Sequence, residues 1–213
     1  MAHAIGILGA GRQAHETAGY YLEHGYEVHF FVANQEYIEI ARADSELGAP
    51  VHLAADALAA YPDLPVMTAV GSSRMRRMFV RSWPRDRYDT LISERAWLAR
   101  DVVVGNGTTI CPGAMINRFA TLGKHVLVNI GATISHDARI ADYVTVSPGC
   151  HIAGKVSIGE GTLVGVGATV SDHLTIGAGA VVGAGAAVVD DVPDGTIVVG
   201  VPARPVRTLD DWM

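Results

Sequence analysis

The sequence predicts a small α/β domain followed by a solenoid of short stacked β-strands, and three observations lead to this fold class. An aliphatic residue recurs at every sixth position from Val104 to Val188 without interruption. A glycine-rich turn separates two apolar runs near the N-terminus. The chain of 213 residues has 24 glycines and only 7% aromatic residues, as expected for a core of small aliphatic side chains stacked in columns.

The six-residue repeat predicts the architecture of the second half of the chain. A period of six matches neither an α-helix nor a strand that alternates until it reaches a turn. A mostly small residue stands two positions before each aliphatic one, so both face the same side of a short strand. Gly, Asn or Ser often follows the aliphatic residue, and we expect the chain to bend there. The aliphatic positions are Val104, Ile110, Ile116, Leu122, Val128, Ile134, Ile140, Val146, Ile152, Ile158, Val164, Val170, Ile176, Val182 and Val188.

Three hexads close one triangular coil, and the fifteen hexads predict five coils of 18 residues. No hexad can bury its aliphatic residue alone, whereas stacking buries all of them in one column. The alternative is a sandwich of β-hairpins. The constant period argues against it, because hairpin loops would interrupt the repeat.

The N-terminal part predicts a βαβ unit. Residues 4–8 form an apolar strand, a helix follows and ends near His24-Gly25, and Tyr26–Val32 forms a second strand. The turn Gly9-Ala10-Gly11-Arg12-Gln13-Ala14 has the spacing G-x-G-x-x-A, and its backbone N–H groups can hold a phosphate at the helix start. A dinucleotide site would need an acid at the end of the second strand, where Ala33-Asn34 stands. A mononucleotide or sugar-nucleotide site therefore fits better, and a turn kept only for close packing is the alternative.

A third apolar segment, Val66 to Val70, leads into Gly71-Ser72-Ser73-Arg74. Polar groups at the end of this strand would face the same crevice as the first turn. Arg76 and Arg77 follow. They are predicted either to contact a phosphate or to form the solvated face of a helix.

Composition excludes several classes of function. The net charge of −6 argues against a nucleic-acid partner. No apolar run could span a bilayer and no signal peptide is evident, so we expect a cytoplasmic protein without a membrane partner. Cys111 and Cys150 fall at small-residue positions of the repeat and are predicted to be buried packing residues. No His and Cys pair with a third partner has ligand spacing, so no metal is expected.

Several motifs resemble hexapeptide-repeat acyltransferases of the sialic acid O-acetyltransferase and bacillosamine or perosamine N-acetyltransferase group. They are Gly9-Ala10-Gly11, the turn Gly71-Ser72 followed by Arg74, residues 128–149 (VNIGATISHDARIADYVTVSPG) and residues 192–204 (VPDGTIVVGVPAR). The resemblance implies a Rossmann-like substrate domain at 1–95, a left-handed parallel β-helix at 96–190 and a capping segment at 191–213. It also implies a homotrimer with active sites between subunits, acetyl-CoA as cosubstrate and a nucleotide-linked amino sugar as acceptor.

The pair His136-Asp137 has no evident structural purpose on a wall of Val, Gly and Ala. A neutral histidine suits a general base near pH 7, and an adjacent carboxylate can orient its ring. The resemblance implies that His136 is the catalytic base, assisted by Asp137, with Asn129 nearby and the Gly154 N–H as oxyanion donor. His125, His151 and His173 are predicted to be surface residues.

Further site residues also follow from the resemblance. Its coenzyme A contacts map to Thr145, Val166 and Ala184, while Gly165 allows a close approach of the pantetheine arm and Arg204 can meet a phosphate. The sugar-nucleotide site is predicted at Gly9, Gly11, Arg12, Gln13, Asn34, Gly71 and Ser72. The chain departs from the family pattern at Arg12-Gln13, where glycine and histidine are usual, and at Ala33-Asn34, where an acidic pair is usual.

The predicted function is therefore acetyl-CoA-dependent N-acetylation of an amino sugar. Loss of the acidic pair leaves open O-acetylation of a free sugar hydroxyl, as on sialic acid. A catalytically silent binding trimer is the third alternative, and the presence of Asn129, His136 and Asp137 argues against it.

Overall fold

The structure is a computed structural model that describes residues 3–44, 46, 48–84 and 86–209. It divides into two compact units, one ending at Asp89 and one beginning at Thr90. The second unit therefore begins six residues before the boundary expected at residue 96. Its first strand, Leu91–Ile92, already pairs in register with Thr109–Ile110.

The first unit contains a four-stranded parallel sheet in the order β3-β2-β1-β4. Helices lie between successive strands, as in α/β folds. The elements are β1 (His3–Leu8), α1 (Arg12–Glu23), β2 (Tyr26–Val32), α2 (Ile38–Arg42), β3 (Val51–His52), α3 (Ala54–Ala60), β4 (Val66–Thr68) and α4 (Ser73–Ser82). The predicted βαβ unit and its third strand are present, whereas the two-residue β3 is too short to leave a sequence pattern.

Alternating residues of the central strands supply two hydrophobic cores, one on each face of the sheet. Ile7 and Phe31 belong to one core, and Leu8 and Phe30 belong to the other. A parallel sheet is covered on both faces, so the C-terminal halves of β1 and β2 are apolar and buried at consecutive positions. Gly6 lies under the Phe30 ring, where an added Cβ would come within 2.1 Å of the ring.

The second unit is a parallel β-helix with three walls, each a sheet of stacked short strands. The first wall consists of β5 (Leu91–Ile92), β8 (Thr109–Ile110), β11 (Leu127–Val128), β14 (Thr145–Val146), β17 (Leu163–Val164), β20 (Val181–Val182), β22 (Thr196–Val199) and the antiparallel β23 (Arg204–Thr208). The second wall consists of β6 (Trp97–Leu98), β9 (Met115–Ile116), β12 (Thr133–Ile134), β15 (His151–Ile152), β18 (Thr169–Val170) and β21 (Ala187–Val188). The third wall consists of β7 (Val103–Val104), β10 (Thr121–Leu122), β13 (Arg139–Ile140), β16 (Ser157–Ile158) and β19 (Thr175–Ile176).

The register confirms the 18-residue coil, since Ile134 pairs with Ile152 and Ile152 with Val170. From Ile110 to Val188 every aliphatic position of the repeat is at most 3% exposed. The small residues two positions earlier face the same interior, and Ala132 and Ala168 are fully buried. Ile92 and Leu98 continue the six-residue spacing below Val104, which is the signal that would have placed the start of the β-helix correctly.

The corners of the coil lie elsewhere than predicted. From Val104 to Val182 the backbone adopts the left-handed conformation three residues after each aliphatic position, as at Gly131, Asp137 and Tyr143. The glycines directly after the aliphatic residue serve another purpose. An added Cβ on Gly159 would lie 2.4 Å from the Ala178 nitrogen of the next coil, so these glycines permit close approach between coils.

Three corner columns result, and two of them carry contrasting residues. The glycine corner, between the first and second walls, consists of Gly113, Gly131, Gly149, Gly167 and Gly185. The side-chain corner, between the second and third walls, consists of Phe119, Asp137, Lys155 and His173, all at positive φ. The third corner carries both kinds of residue.

The remaining sequence expectations for the fold have mixed outcomes. Cys111 and Cys150 are buried, as predicted. His125 was predicted at the surface, and this is wrong. It is 4% exposed and its ring stacks on Tyr143 with centroids 5.1 Å apart.

No helix in the described part of the chain is long and apolar enough to cross a membrane.

Candidate functional site

His136 and Asp137 form an exposed pair on the side-chain corner. The Nδ1 atom of His136 lies 2.8 Å from the Asp137 carboxylate, and their side chains are 59% and 45% exposed. Neighbouring side chains usually diverge, but the φ of +60° at Asp137 turns its carboxylate back to the ring. Because a carboxylate only accepts hydrogen bonds, it places the imidazole proton on Nδ1 and leaves the lone pair on Nε2.

Gly154 lies one coil beyond His136 and directly beside its ring. An added Cβ at Gly154 would come within 2.8 Å of both Cε1 and Nε2 of His136. The Lys155 N–H donates to the His136 carbonyl at 2.9 Å, which fixes the two coils together at this point. A side chain at position 154 would displace the ring, so glycine is required here for space rather than for a turn.

Asn129 stands on the same coil as His136 but at the other end of the second wall. Its Oδ1 accepts the Ile130 N–H at 3.0 Å. Within the described protomer the structure shows no hydrogen bond between Asn129 and the His136-Asp137 pair. Its predicted role in catalysis stays a prediction.

The residues predicted to contact coenzyme A do not all lie together. Val166 and Ala184 are exposed on successive coils, next to the glycine corner. Gly165 permits the next coil to approach, since an added Cβ would lie 2.7 Å from the Ala184 nitrogen. Thr145 differs from these residues because it faces outward from the first wall and is only 4% exposed. Arg204 is paired with Asp190 at 3.1 Å.

A cavity of about 770 Å³ in the first unit contains most of the predicted sugar-nucleotide residues. Its lining includes Gly9, Gly11, Arg12, Gln13 and Asn34. The cavity opens where β1 is flanked by β2 on one side and β4 on the other, which is the switch point at which α/β sheets bind ligands. The N-terminus of α1 adjoins this cavity and offers unpaired N–H groups to an anion.

Three details of this cavity differ from the sequence expectation. Gly71 and Ser72 do not belong to its lining, and the Ser72 hydroxyl instead accepts the Met75 N–H at the start of α4. Arg76 neither faces solvent nor contacts a ligand site. Its side chain is 2% exposed and donates to the carbonyls of Val70 and Gly71 at 2.8 and 2.9 Å.

Arg12 occupies the position at which the chain departs from the family pattern. Its guanidinium is exposed and pairs with Glu46 at 2.8 Å, and this hydrogen bond raises the pKa of Arg12. Arg12 also belongs to the lining of the cavity. Asn34 replaces the usual acid, and its Oδ1 accepts the Tyr37 N–H at 3.1 Å.

His151 has the surface position predicted for it, whereas sequence reasoning missed one polar cluster in the first unit. His151 is exposed on the second wall, and its Nδ1 lies 2.9 Å from the Thr133 hydroxyl. In the first unit, ligand atoms of His15, Asp44 and Glu46 lie within 4.8 Å of one another. His15 is hydrogen-bonded to Asp44 and Glu46 to Arg12, so these groups already satisfy one another. The spacing of these residues in the sequence gives no signal for this cluster.

Similar proteins were found among solved structures and not in the other two comparisons. No protein-family model matches the chain, and no curated protein matches it. The acetyltransferase domain of PglB from Neisseria gonorrhoeae FA1090, in complex with acetyl coenzyme A, is 29% identical with a TM-score of 0.87, covering 97% of this chain and 100% of that one. A mutant of perosamine N-acetyltransferase from Caulobacter crescentus, in complex with CoA and GDP-perosamine, is 30% identical with a TM-score of 0.87 and coverages of 97% and 98%. WeeI from Acinetobacter baumannii AYE is 28% identical with a TM-score of 0.87 and coverages of 96% and 100%.

These matches span almost the whole chain and confirm both parts of the predicted fold class, the Rossmann-like N-terminal unit and the left-handed parallel β-helix. They also confirm the predicted enzyme class, an acyltransferase. The chain belongs to the hexapeptide-repeat sugar N-acetyltransferases, the group that includes the PglB acetyltransferase domain and perosamine N-acetyltransferase.

Proposed function

We propose that the protein transfers the acetyl group of acetyl-CoA to the amine of a nucleotide-linked amino sugar. One observation carries the proposal: an exposed His136-Asp137 pair lies beside Gly154, on a β-helix matched over 97% of the chain by perosamine N-acetyltransferase. That relative was solved with CoA and GDP-perosamine. The cosubstrate and acceptor predicted from the sequence, acetyl-CoA and a nucleotide-linked amino sugar, are of the same classes as the two molecules bound in that relative.

The geometry supports direct transfer without a covalent enzyme intermediate. Since Asp137 holds the proton on Nδ1, the Nε2 atom of His136 accepts a proton from the attacking amine. The amine attacks the thioester carbonyl, and the Gly154 N–H stabilises the resulting oxyanion. The tetrahedral intermediate then expels the CoA thiolate, which takes the proton from His136.

The nucleotide is assigned to the cavity of the first unit. The α1 N-terminus and the Gly9–Gly11 turn suit a diphosphate, because N–H groups and the helix dipole both favour negative charge there. Arg12 can add a charge-assisted hydrogen bond if it exchanges Glu46 for the phosphate. Asn34 makes ribose recognition by an acid impossible at the usual position.

A homotrimer is part of the same proposal. Large apolar side chains are exposed on the second and third walls, with Trp97 at 51%, Val103 at 60% and Met115 at 49%. The outward residues Thr109, Leu127 and Thr145 of the first wall are buried within the protomer. Light scattering of the purified protein tests the trimer directly. The two cysteines are buried and form no disulfide, which fits the cytoplasmic location predicted from the sequence.

The test of function is thiol release from acetyl-CoA across a panel of UDP-, GDP- and dTDP-linked amino sugars. Turnover with at least one of them, giving an N-acetylated product by mass spectrometry, is the expected result. Free sialic acid is included because the Ala33-Asn34 departure leaves O-acetylation as the second candidate. Turnover of free sialic acid alone would favour that candidate, and inertness with every acceptor would contradict both.

Free UDP, GDP and dTDP serve as competitors in the same assay. If the first unit holds the nucleotide, the matching nucleotide inhibits and also slows amide exchange around Gly9 and Gly11. Inhibition without any change in exchange at these residues would place the nucleotide elsewhere.

A further inference from the structure

On the side-chain corner, neighbouring side chains of the same coil contact each other in a recurring way. On each coil the corner residue turns back onto the residue just before it. Asp137 lies 2.8 Å from His136, and His173 lies 3.5 Å from Asp172. On the coil below His136, the Arg118 guanidinium lies 4.7 Å from the centre of the Phe119 ring.

Gly154 and Lys155 occupy the same two positions on the coil between the pairs at 136–137 and 172–173. Here the contact between neighbouring side chains is missing, which leaves a gap. Gly154 has no side chain, so Lys155 has no partner at the place where the others find one. The Lys155 side chain is exposed, and it forms no ion pair among the described residues. The gap also adjoins the base, since a Cβ on Gly154 would lie 2.8 Å from His136 Nε2.

We propose that Lys155 is a further catalytic residue, whose ammonium group reaches over Gly154 and stabilises the oxyanion formed during acyl transfer. The inference rests on the proposed function and deepens it. When the amine attacks, the carbonyl π electrons move to the oxygen, which becomes negative beside the Gly154 N–H. If the Lys155 side chain follows the contact that brings Asp137 to His136, its ammonium lies beside this oxygen. On collapse the charge leaves with the CoA thiolate, so Lys155 exchanges no proton.

The backbone shows that a side chain is kept at this position although glycine would fit it better. Lys155 has φ of +59°, a conformation that disfavours residues with a Cβ and suits glycine. The equivalent positions of the glycine corner are glycine on five successive coils. Phe119, Asp137 and His173 share this conformation, so the strain belongs to the side-chain corner as a whole, where such residues can serve function.

The charge balance near Gly154 also favours this role. His136 becomes a cation when it accepts the amine proton, and Asp137 compensates that charge at 2.8 Å. The oxyanion that forms at the same time needs a positive partner of its own. Lys155 is the cation that stands on the coil of the oxyanion donor. Substrate binding excludes water from the cleft, which strengthens the attraction.

The first test uses stable coenzyme A derivatives and needs no acceptor. S-carboxymethyl-CoA carries a negative carboxylate one carbon beyond the position of the thioester carbonyl, and S-propyl-CoA is a neutral control of similar length. Calorimetry of the wild type should show tighter binding of the carboxymethyl compound. Lys155→Met should abolish that preference and leave S-propyl-CoA affinity unchanged, whereas Lys155→Arg should keep it. An unchanged preference in Lys155→Met would overturn the proposal even if the wild type proves inert with every amino sugar.

The second test separates a chemical role from a structural one. Once an acceptor has been identified, Lys155→Met should lower kcat about 10–100-fold, which is somewhat less than the loss on removal of a direct oxyanion donor. The KM values for acetyl-CoA and for the acceptor should remain nearly unchanged. Lys155→Gly should lose as much kcat while raising Tm, because it relieves the backbone strain. His173→Gly is the matched control at the next coil, expected to raise Tm in the same way and to keep kcat. A loss confined to KM, or equal losses in Lys155→Gly and His173→Gly, would overturn the assignment.

Discussion

The glycine corner and the side-chain corner have the same backbone and opposite composition. Both repeat every 18 residues with φ near +60° to +70°, at Gly131 and Gly149 on one and at Asp137 and Lys155 on the other. Residues with a Cβ pay roughly 1–2 kcal/mol for this conformation, and glycine avoids that cost. The difference therefore shows where the fold tolerates strain. The corner that presents His136 and Asp137 has a side chain at all four of its positive-φ positions, whereas the third corner has one only at His125 and Tyr143.

Removing the base should have the largest effect on the side-chain corner. His136→Ala eliminates the group that accepts the amine proton, so we expect kcat to fall by about 10²–10⁴. Circular dichroism and Tm should remain those of the wild type, because the His136 side chain is 59% exposed. Steady-state thiol release measures the loss. Wild-type turnover in this variant would refute the assignment of His136 as the base.

Adding one methyl group beside the base should have the next largest effect. Gly154→Ala places a Cβ within 2.8 Å of His136 Nε2, so the ring must move away from Asp137 or from the substrate. We expect kcat to fall by about tenfold or more, since small displacements of a catalytic group are costly. The pH–rate profile should change as well, because the hydrogen bond that fixes the imidazole tautomer is disturbed. An unaltered kcat would mean that the cleft accommodates the methyl group.

The same substitution on the glycine corner should act on stability alone. At Gly149 an added Cβ would meet nothing within 4 Å, so strain at φ of +66° is the only cost. Gly149→Ala should therefore lower the free energy of unfolding by about 1–2 kcal/mol while leaving kcat unchanged. Urea denaturation followed by circular dichroism measures it. A loss of activity at native stability would show that the two corners are not functionally distinct.

The smallest effect concerns the thiol inside the coil. Burial raises the pKa of Cys150, whose Sγ donates to the Gly165 carbonyl at 3.0 Å. Since the folded pKa exceeds the unfolded one, this group contributes stability below the ordinary thiol pKa and loses it as the pH rises towards the raised value. In a Cys111→Ala background, Ellman's reagent should label Cys150 only when the protein unfolds. Rapid labelling of native protein at pH 8 would contradict this burial.

The β-helix could be predicted from the sequence because its repeat is local and strict. Each hexad carries its own inward residue, and stacking requires the same spacing on every coil. The corner position could not be found in the same way. Two kinds of glycine alternate along the chain, and only the backbone angles separate Gly131, which turns the chain, from Gly159, which admits the neighbouring coil.

The candidate site was predictable to a lesser extent. His136 and Asp137 stood out because no core position explains them, and Gly154 followed from the resemblance. In the sequence His125 could not be distinguished from a surface histidine. Its burial against Tyr143 could not be predicted, because the two residues lie on neighbouring coils and meet only in the folded protein. Arg76 likewise donates to the carbonyls of Val70 and Gly71, and the folding back of its side chain onto this turn has no signal in the sequence.

The sequence by itself determined the coil length, the inward column from Val104 to Val188 and the identity of the odd residues on its wall. These properties depend on the spacing and the type of residues, and both can be read directly from the sequence. The tertiary structure decided which of those residues meet. Gly154 beside His136, Thr145 buried on the first wall and Lys155 without a partner all depend on contacts between coils 18 residues apart. Such contacts exist only after the chain has closed each triangle and stacked it on the last.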